Sequence, residues 1–180
     1  MVLSDIEIKA EMRAKRLAFD PSIPEDSNRI GSSSIDLLLH DDLIVLPQSQ
    51  QEGVKIDPET IGDAMGVLRK FGDEVHLSQS LYELEPNRLA IGKTLEYIKL
   101  PSHLAARIEG KSTLARFGLS VHITAPTVLA GFEGNLYLEI NNIGPFAIQL
   151  RHKMEIAQLI LEHVGLPPTS GYSGRYQAQA

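Results

Sequence analysis

The residues best suited to chemistry crowd into the stretch from Arg107 to Asn141. Gly110-Lys111-Ser112-Thr113 closes an extended segment and opens a short helical turn, Leu114 to Phe117, with Ser112 or Thr113 as its N-cap. Main-chain N–H groups, two hydroxyls and the Lys111 ammonium then converge at a helix start, a ready site for an anion such as phosphate. On local sequence alone an ordinary capped turn with a solvated lysine is the commoner outcome. The run is no Walker A motif, because the first glycine and its spacing are missing. Arg116 follows Ser112 by four residues, so one helical turn brings the two side chains together.

Glu139 is the second chemical feature. Leu136 to Ile140 reads as a strand with Leu136, Leu138 and Ile140 on one face and Tyr137 and Glu139 on the other. A carboxylate there is most often solvated. Beside an anion-binding turn it could instead act as a general base, given a well-placed water. His122 is read as a structural hydrogen-bonder, the commoner role of a lone strand histidine.

Around this stretch the chain reads as scaffold. Ser4-Asp5-Ile6-Glu7 is a capping box opening a helix that should run to about Lys15 or Arg16, stopped by Asp20-Pro21. Residues 21 to 33 form a loop. Strands are predicted at Ser34 to Leu39, Leu43 to Leu46, Glu74 to Ser78, Leu81 to Glu83, Leu89 to Gly92, Leu95 to Lys99, Phe146 to Leu150 and Glu155 to His163. Asp36 is read as structural. Residues 48 to 72 form a lid or surface excursion in which Ile61 to Lys70 could be helical, despite Gly62 and Gly66. The run from Glu155 is apolar on both faces, which fits a barrel interior or a subunit interface. Many short strands with regular turns predict a mainly β sandwich or distorted barrel. Residues 166 to 180 read as a polar, flexible tail.

A chain of 180 residues is one domain by default. Its 17 basic and 23 acidic residues give a net charge of −6, so no excess basic field exists to hold a nucleic acid backbone. There is no cysteine, so neither a disulfide nor a thiolate metal site can form. No apolar run reaches membrane-spanning length and no signal-peptide pattern opens the chain, so the cytoplasm is expected.

The central stretch resembles the deoxycytidine triphosphate deaminases of the trimeric dUTPase-like superfamily. Their pattern of G-[RK]-S-[ST]-x-[AG]-R-x-G-L is met by Gly110, Lys111, Ser112, Thr113, Ala115, Arg116, Gly118 and Leu119. H-x-T-A follows at His122, Thr124 and Ala125, G-[FW]-x-G at Gly131, Phe132 and Gly134, and L-E at Leu138 and Glu139. Ser34-Ile35-Asp36-Leu37 and the opening helix extend the similarity. Gly174-Arg175-Tyr176-Gln177-Ala178-Gln179 resembles the family's closing G-K-Y-x-x-Q, with arginine where lysine is usual.

The resemblance implies a dUTPase-like barrel or sandwich, with an N-terminal helix and a short helix after the Gly-Lys-Ser-Thr turn. It implies a homotrimer with active sites shared between subunits. Glu139 would be the general base for a water attacking C4 of cytosine. Ser112, Arg116 and the Ala125 carbonyl would orient that water. Lys111, Ser112, Thr113 and Arg116 would hold phosphate, and main chain near Tyr137 would read the pyrimidine. Arg175, Tyr176 and Gln179 would close over the triphosphate, with Mg2+ bound through the nucleotide and no zinc. The zinc deaminases need cysteine ligands that this chain lacks.

Two positions depart from the pattern. Leu129 stands where relatives carry an aspartate that contacts the sugar and, in dUTPases, activates the hydrolytic water. Pro126 follows Ala125, fixing the backbone and removing an N–H. The expected reaction is therefore dCTP deamination to dUTP and ammonia. Alternatives are a dUTP diphosphatase or bifunctional enzyme, and a non-catalytic nucleotide-binding trimer.

Overall fold

The computed structural model describes residues 1–48, 52–57, 59–170 and 174. The chain is mainly β. Helix α1 (Asp5–Arg13) precedes strands β1 (Ala18–Asp20), β2 (Ile35–Leu38) and β3 (Asp42–Val45). Helix α2 (Ala64–Phe71) leads into β4 (Asp73–His76), β5 (Tyr82–Leu84), β6 (Arg88–Lys99) and β7 (Leu104–Gly110). Helix α3 (Ser112–Arg116) is followed by β8 (Leu119–Ser120), β9 (Thr127–Val128), β10 (Glu133–Asn142), β11 (Ile148–Leu150) and β12 (Glu155–His163).

A six-stranded sheet runs β4-β3-β6-β10-β8, with β1 also pairing β6; a four-stranded sheet runs β2-β12-β7-β9; β11 and β5 form a two-stranded ribbon. The two larger sheets share one apolar core, with Leu37, Leu104 and Leu159 from one and Leu43, Ile98 and Leu138 from the other. The result is sandwich-like, as expected for a dUTPase-like fold. Among the described residues no helix is long and apolar enough to cross a membrane.

Several expectations shift. The capping box forms as read, with Ser4 and Glu7 bonding each other's main chain. Helix α1 nevertheless ends at Arg13, because Lys15 turns into the left-handed region at φ 55° and β1 begins before the proline is reached. The break expected between Gly92 and Leu95 is absent, and β6 runs unbroken for 12 residues. Thr94, within the expected break, is fully buried and satisfied. Its hydroxyl donates to the Glu96 carbonyl at 2.8 Å and accepts the Leu136 N–H at 3.0 Å. Strand β12 buries Ile156, Ala157, Leu159 and Leu161 fully, while Gln158 and Ile160 are half-buried.

Helix α1 is docked by a carboxylate. Glu11 is nearly buried and takes Arg16 Nε at 2.8 Å, Arg16 Nη2 at 2.9 Å and His103 Nε2 at 3.1 Å. The Arg16 hydrogen bonds hold its carboxyl below the ordinary glutamate value, outweighing the opposing effect of burial. A lowered carboxylate stabilises fully above its unfolded value, and that contribution is lost as pH falls through the folded value. Glu11→Gln should therefore cost about 1–3 kcal/mol at neutral pH. Denaturant melts of the two proteins should draw together below about pH 4.

Candidate functional site

Strand β10 carries the candidate base on its half-exposed face. Leu136, Leu138 and Ile140 are buried in the core, and the alternation turns Tyr137 and Glu139 the other way. Glu139 Oε2 accepts the Ile123 N–H at 3.3 Å, which ties the carboxylate to the His122 to Ala125 segment. Thr124 and Ala125 are exposed beside it. His122 is half-buried and its Nδ1 has no partner among the described residues.

The strand is irregular where a ligand would meet it. A bulge shifts the β10–β6 register between Asn135 and Tyr137, and Asn135 Nδ2 anchors it by donating to the Thr94 carbonyl at 2.9 Å. Strand β8 pairs β10 only at Asn141 and Asn142. From Glu133 to Ile140 the edge away from β6 therefore has no strand partner among the described residues. Its main-chain donors and acceptors on that side, next to Glu139, have no β-ladder partner among the described residues.

The second half of the site is α3. Ser112, Thr113 and Arg116 are exposed, and their side chains have no hydrogen-bond or ion-pair partner among the described residues. The helix starts one residue earlier than a Ser112 or Thr113 cap requires. Lys111 is the N-cap, with no side-chain capping bond. Nor is Lys111 a free cation. Its Nζ donates to Asp36 Oδ2 and to Glu155 Oε2, each at 2.6 Å. Burial acts to lower its pKa, but the hydrogen bonds to Asp36 and Glu155 prevail and hold it above the ordinary lysine value.

No hydrogen bond or ion pair joins Glu139 to Ser112, Thr113 or Arg116 within one chain, among the described residues. The carboxylate and the turn from Lys111 to Arg116 are thus not directly bonded to each other among the described residues. Leu129 is 52% exposed on the turn that enters β10. Arg175, Tyr176 and Gln179 lie outside the described residues.

A cavity of about 290 Å³ sits on the Glu139 face of the sheet, between α2 and the strands. Tyr137, its cross-strand partner Lys93, and Ile91 opposite Glu139 lie on its wall, with Met65 and Arg69 above. At its rim Asp41, Asp42 and His76 could offer ligand atoms to a cation, all within 4.8 Å of one another. Sequence reading named no such group. Asp41 and Asp42 are neighbours, but His76 is distant in the chain and meets them only because it pairs with Asp42 across β3 and β4. They are already engaged: His76 lies 3.2 Å from Asp42, Lys93 lies 3.8 Å from Asp42, and the Ser78 N–H donates to Asp41.

A family model described as dCTP deaminase-like matches residues 2–164. A dCTP deaminase of Rhodospirillum rubrum is 34% identical over 96% of this chain and 88% of its own. A protein of a Parafrankia species named "dCTP deaminase, dUMP-forming" is 36% identical over 99% of this chain and 87% of its own. The crystal structure of a 2'-deoxycytidine 5'-triphosphate deaminase from Agrobacterium tumefaciens matches 91% of this chain with a TM-score of 0.70 and 24% identity. This chain spans 48% of that one, and the likeness concerns the fold.

The position of α3 depends on two glycines. Gly118 adopts φ +91°, and a Cβ on Gly144 would stand 2.0 Å from the Phe117 carbonyl oxygen. The Ile143 N–H then bonds the Gly118 carbonyl at 2.9 Å. Gly144→Ala must push α3 away from the end of β10, because the clash is with backbone. It should destabilise the chain by about 1–3 kcal/mol, read from denaturant midpoints, and lower turnover more than that loss of folded protein explains.

Proposed function

Since the chain belongs to the dCTP deaminase-like family, we propose that it deaminates dCTP, with Glu139 as the base. The observation that carries this reading is the pairing of that carboxylate with an open strand edge. A pyrimidine can hydrogen-bond the unpaired main chain of β10 near Tyr137, as a neighbouring strand would. That places its C4 near Glu139. Glu139 takes a proton from water as the oxygen bonds to C4. It returns a proton to the exocyclic nitrogen, and the C4–N bond breaks to release ammonia. The Ala125 carbonyl, Ser112 and Arg116 orient the water. With no cysteine in the chain, the cysteine-ligated zinc of other deaminases cannot be assembled.

Ser112, Thr113 and Arg116 bind the phosphates in this reading, and the substrate is the magnesium complex of the nucleotide. Arg175, Tyr176 and Gln179 close over it from the tail. Among the described residues no hydrogen bond or ion pair joins Glu139 to the turn within one chain, and in this reading a homotrimer brings the turn of one subunit to the Glu139 of another. We place this reaction in the cytoplasm.

The product has two readings. The name of the Parafrankia relative favours dUMP, formed by a further loss of pyrophosphate. Leu129 favours stopping at dUTP, since an exposed alkyl side chain cannot activate a second water. Purified protein with magnesium and dCTP should release ammonia. Pyrophosphate appearing with it establishes dUMP formation, and its absence establishes dUTP. Glu139→Gln should leave the fold intact and lower turnover by at least about 100-fold, the usual scale of a lost general base. Normal turnover by this variant would remove Glu139 from the mechanism. Deleting residues 174 to 180 should raise KM for dCTP with little change in thermal melting, and an unchanged KM would exclude the tail from nucleotide binding.

A further inference from the structure

Helix α3 has little of its own to hold it in place. It is five residues long, buries none of them and lacks a side-chain cap. Leu114 packs partly against the core, and the glycine contact fixes the C-terminal end. The N-terminal end is fixed by Lys111, and Lys111 is fixed by Asp36. Asp36 is itself unusually constrained. Its Oδ1 accepts Gln158 Nε2 at 3.0 Å, while its carbonyl accepts Arg29 Nε at 3.0 Å and Arg29 Nη2 at 2.7 Å. Arg29 pairs in turn with Glu96, which is 0% exposed and takes the Leu38 N–H at 3.1 Å. A rigid polar chain thus runs from the core to the residue immediately before Ser112.

We propose that Asp36 is a positioning residue, which through Lys111 sets where Ser112, Thr113 and Arg116 stand. This rests on the reading of that turn as the phosphate and water-orienting half of the site. The side chains of Asp36 and Lys111 are only 17% and 20% exposed, so their pair is weakly screened. Glu155, at 43%, contributes less. With two carboxylates on one ammonium, Lys111 offers little attraction to a phosphate. Arg116 is the cation of the turn that is left free among the described residues.

The test is a double-mutant cycle on dCTP turnover with Asp36→Asn, Lys111→Gln and both together. A displaced turn should lower kcat about tenfold or more in each single variant. KM should stay within about twofold, and the double variant should be no worse than the weaker single. Lys111→Arg, which keeps the ion pair, should restore most of the loss. If Lys111 instead binds phosphate, Lys111→Gln raises KM, Asp36→Asn does not, and the effects add; that result overturns the proposal. Amide hydrogen exchange separates this from the assigned activity. Exchange at Ala115, Phe117 and Gly118 should quicken in both single variants while the amides that bond β6 to β10 stay protected. Unchanged exchange at those three amides overturns the positioning role, even if the wild-type chain turns out not to deaminate dCTP.

Discussion

A fully buried carboxylate organises the sandwich. Glu96 sits on the core side of β6, where an unpaired charge would cost several kcal/mol. The chain meets that demand with Arg29 and the Leu38 N–H. Arg29 comes from the long loop between β1 and β2, and Leu38 from β2 in the opposite sheet. One side chain therefore fixes an irregular segment and joins the two sheets across the core. Removing either charged partner would leave the other stranded, at a cost of about 3–5 kcal/mol. The same pair leads outward through Asp36 to the edge of the functional site.

The proposed chemistry would be divided between a long paired strand and a short helix. Glu139 rides on β10, which is held by β6 along most of its length and locked at its bulge by Thr94 and Asn135. The hydroxyls and Arg116 ride on a five-residue helix held at its two ends and by Leu114 against the core. Within one chain no hydrogen bond or ion pair joins these parts among the described residues. A base on a strand and a phosphate-binding turn delivered by a neighbour would be aligned by assembly as well as by folding.

The sequence made some of this legible. The alternation of Leu136 to Ile140 placed Glu139 correctly, because a period of two is a local signal. The capping box at Ser4 was legible for the same reason. Motif order from Gly110 to Glu139 pointed to the family. The fate of Lys111 was not legible. Its partners Asp36 and Glu155 come from β2 and β12, and only the β2-β12-β7 order of the sheet brings them to it. The expected break between Gly92 and Leu95 failed for a related reason: the Leu136 N–H that bonds the buried Thr94 inside β6 comes from β10 and is not local. The Asp42–His76 meeting likewise depends on strand register, which local pattern does not encode.

The open edge of β10 has a consequence for how selectivity can drift. Side chains that read a base can be replaced one codon at a time. Main-chain N–H and C=O groups are the same whichever residue carries them, and only proline removes one. Base recognition by this edge would persist through wide divergence of the residues that form it. Preference for sugar or phosphate number would be free to change at side-chain positions such as Leu129. Relatives sharing one pyrimidine chemistry while differing in final product are the pattern such an arrangement favours.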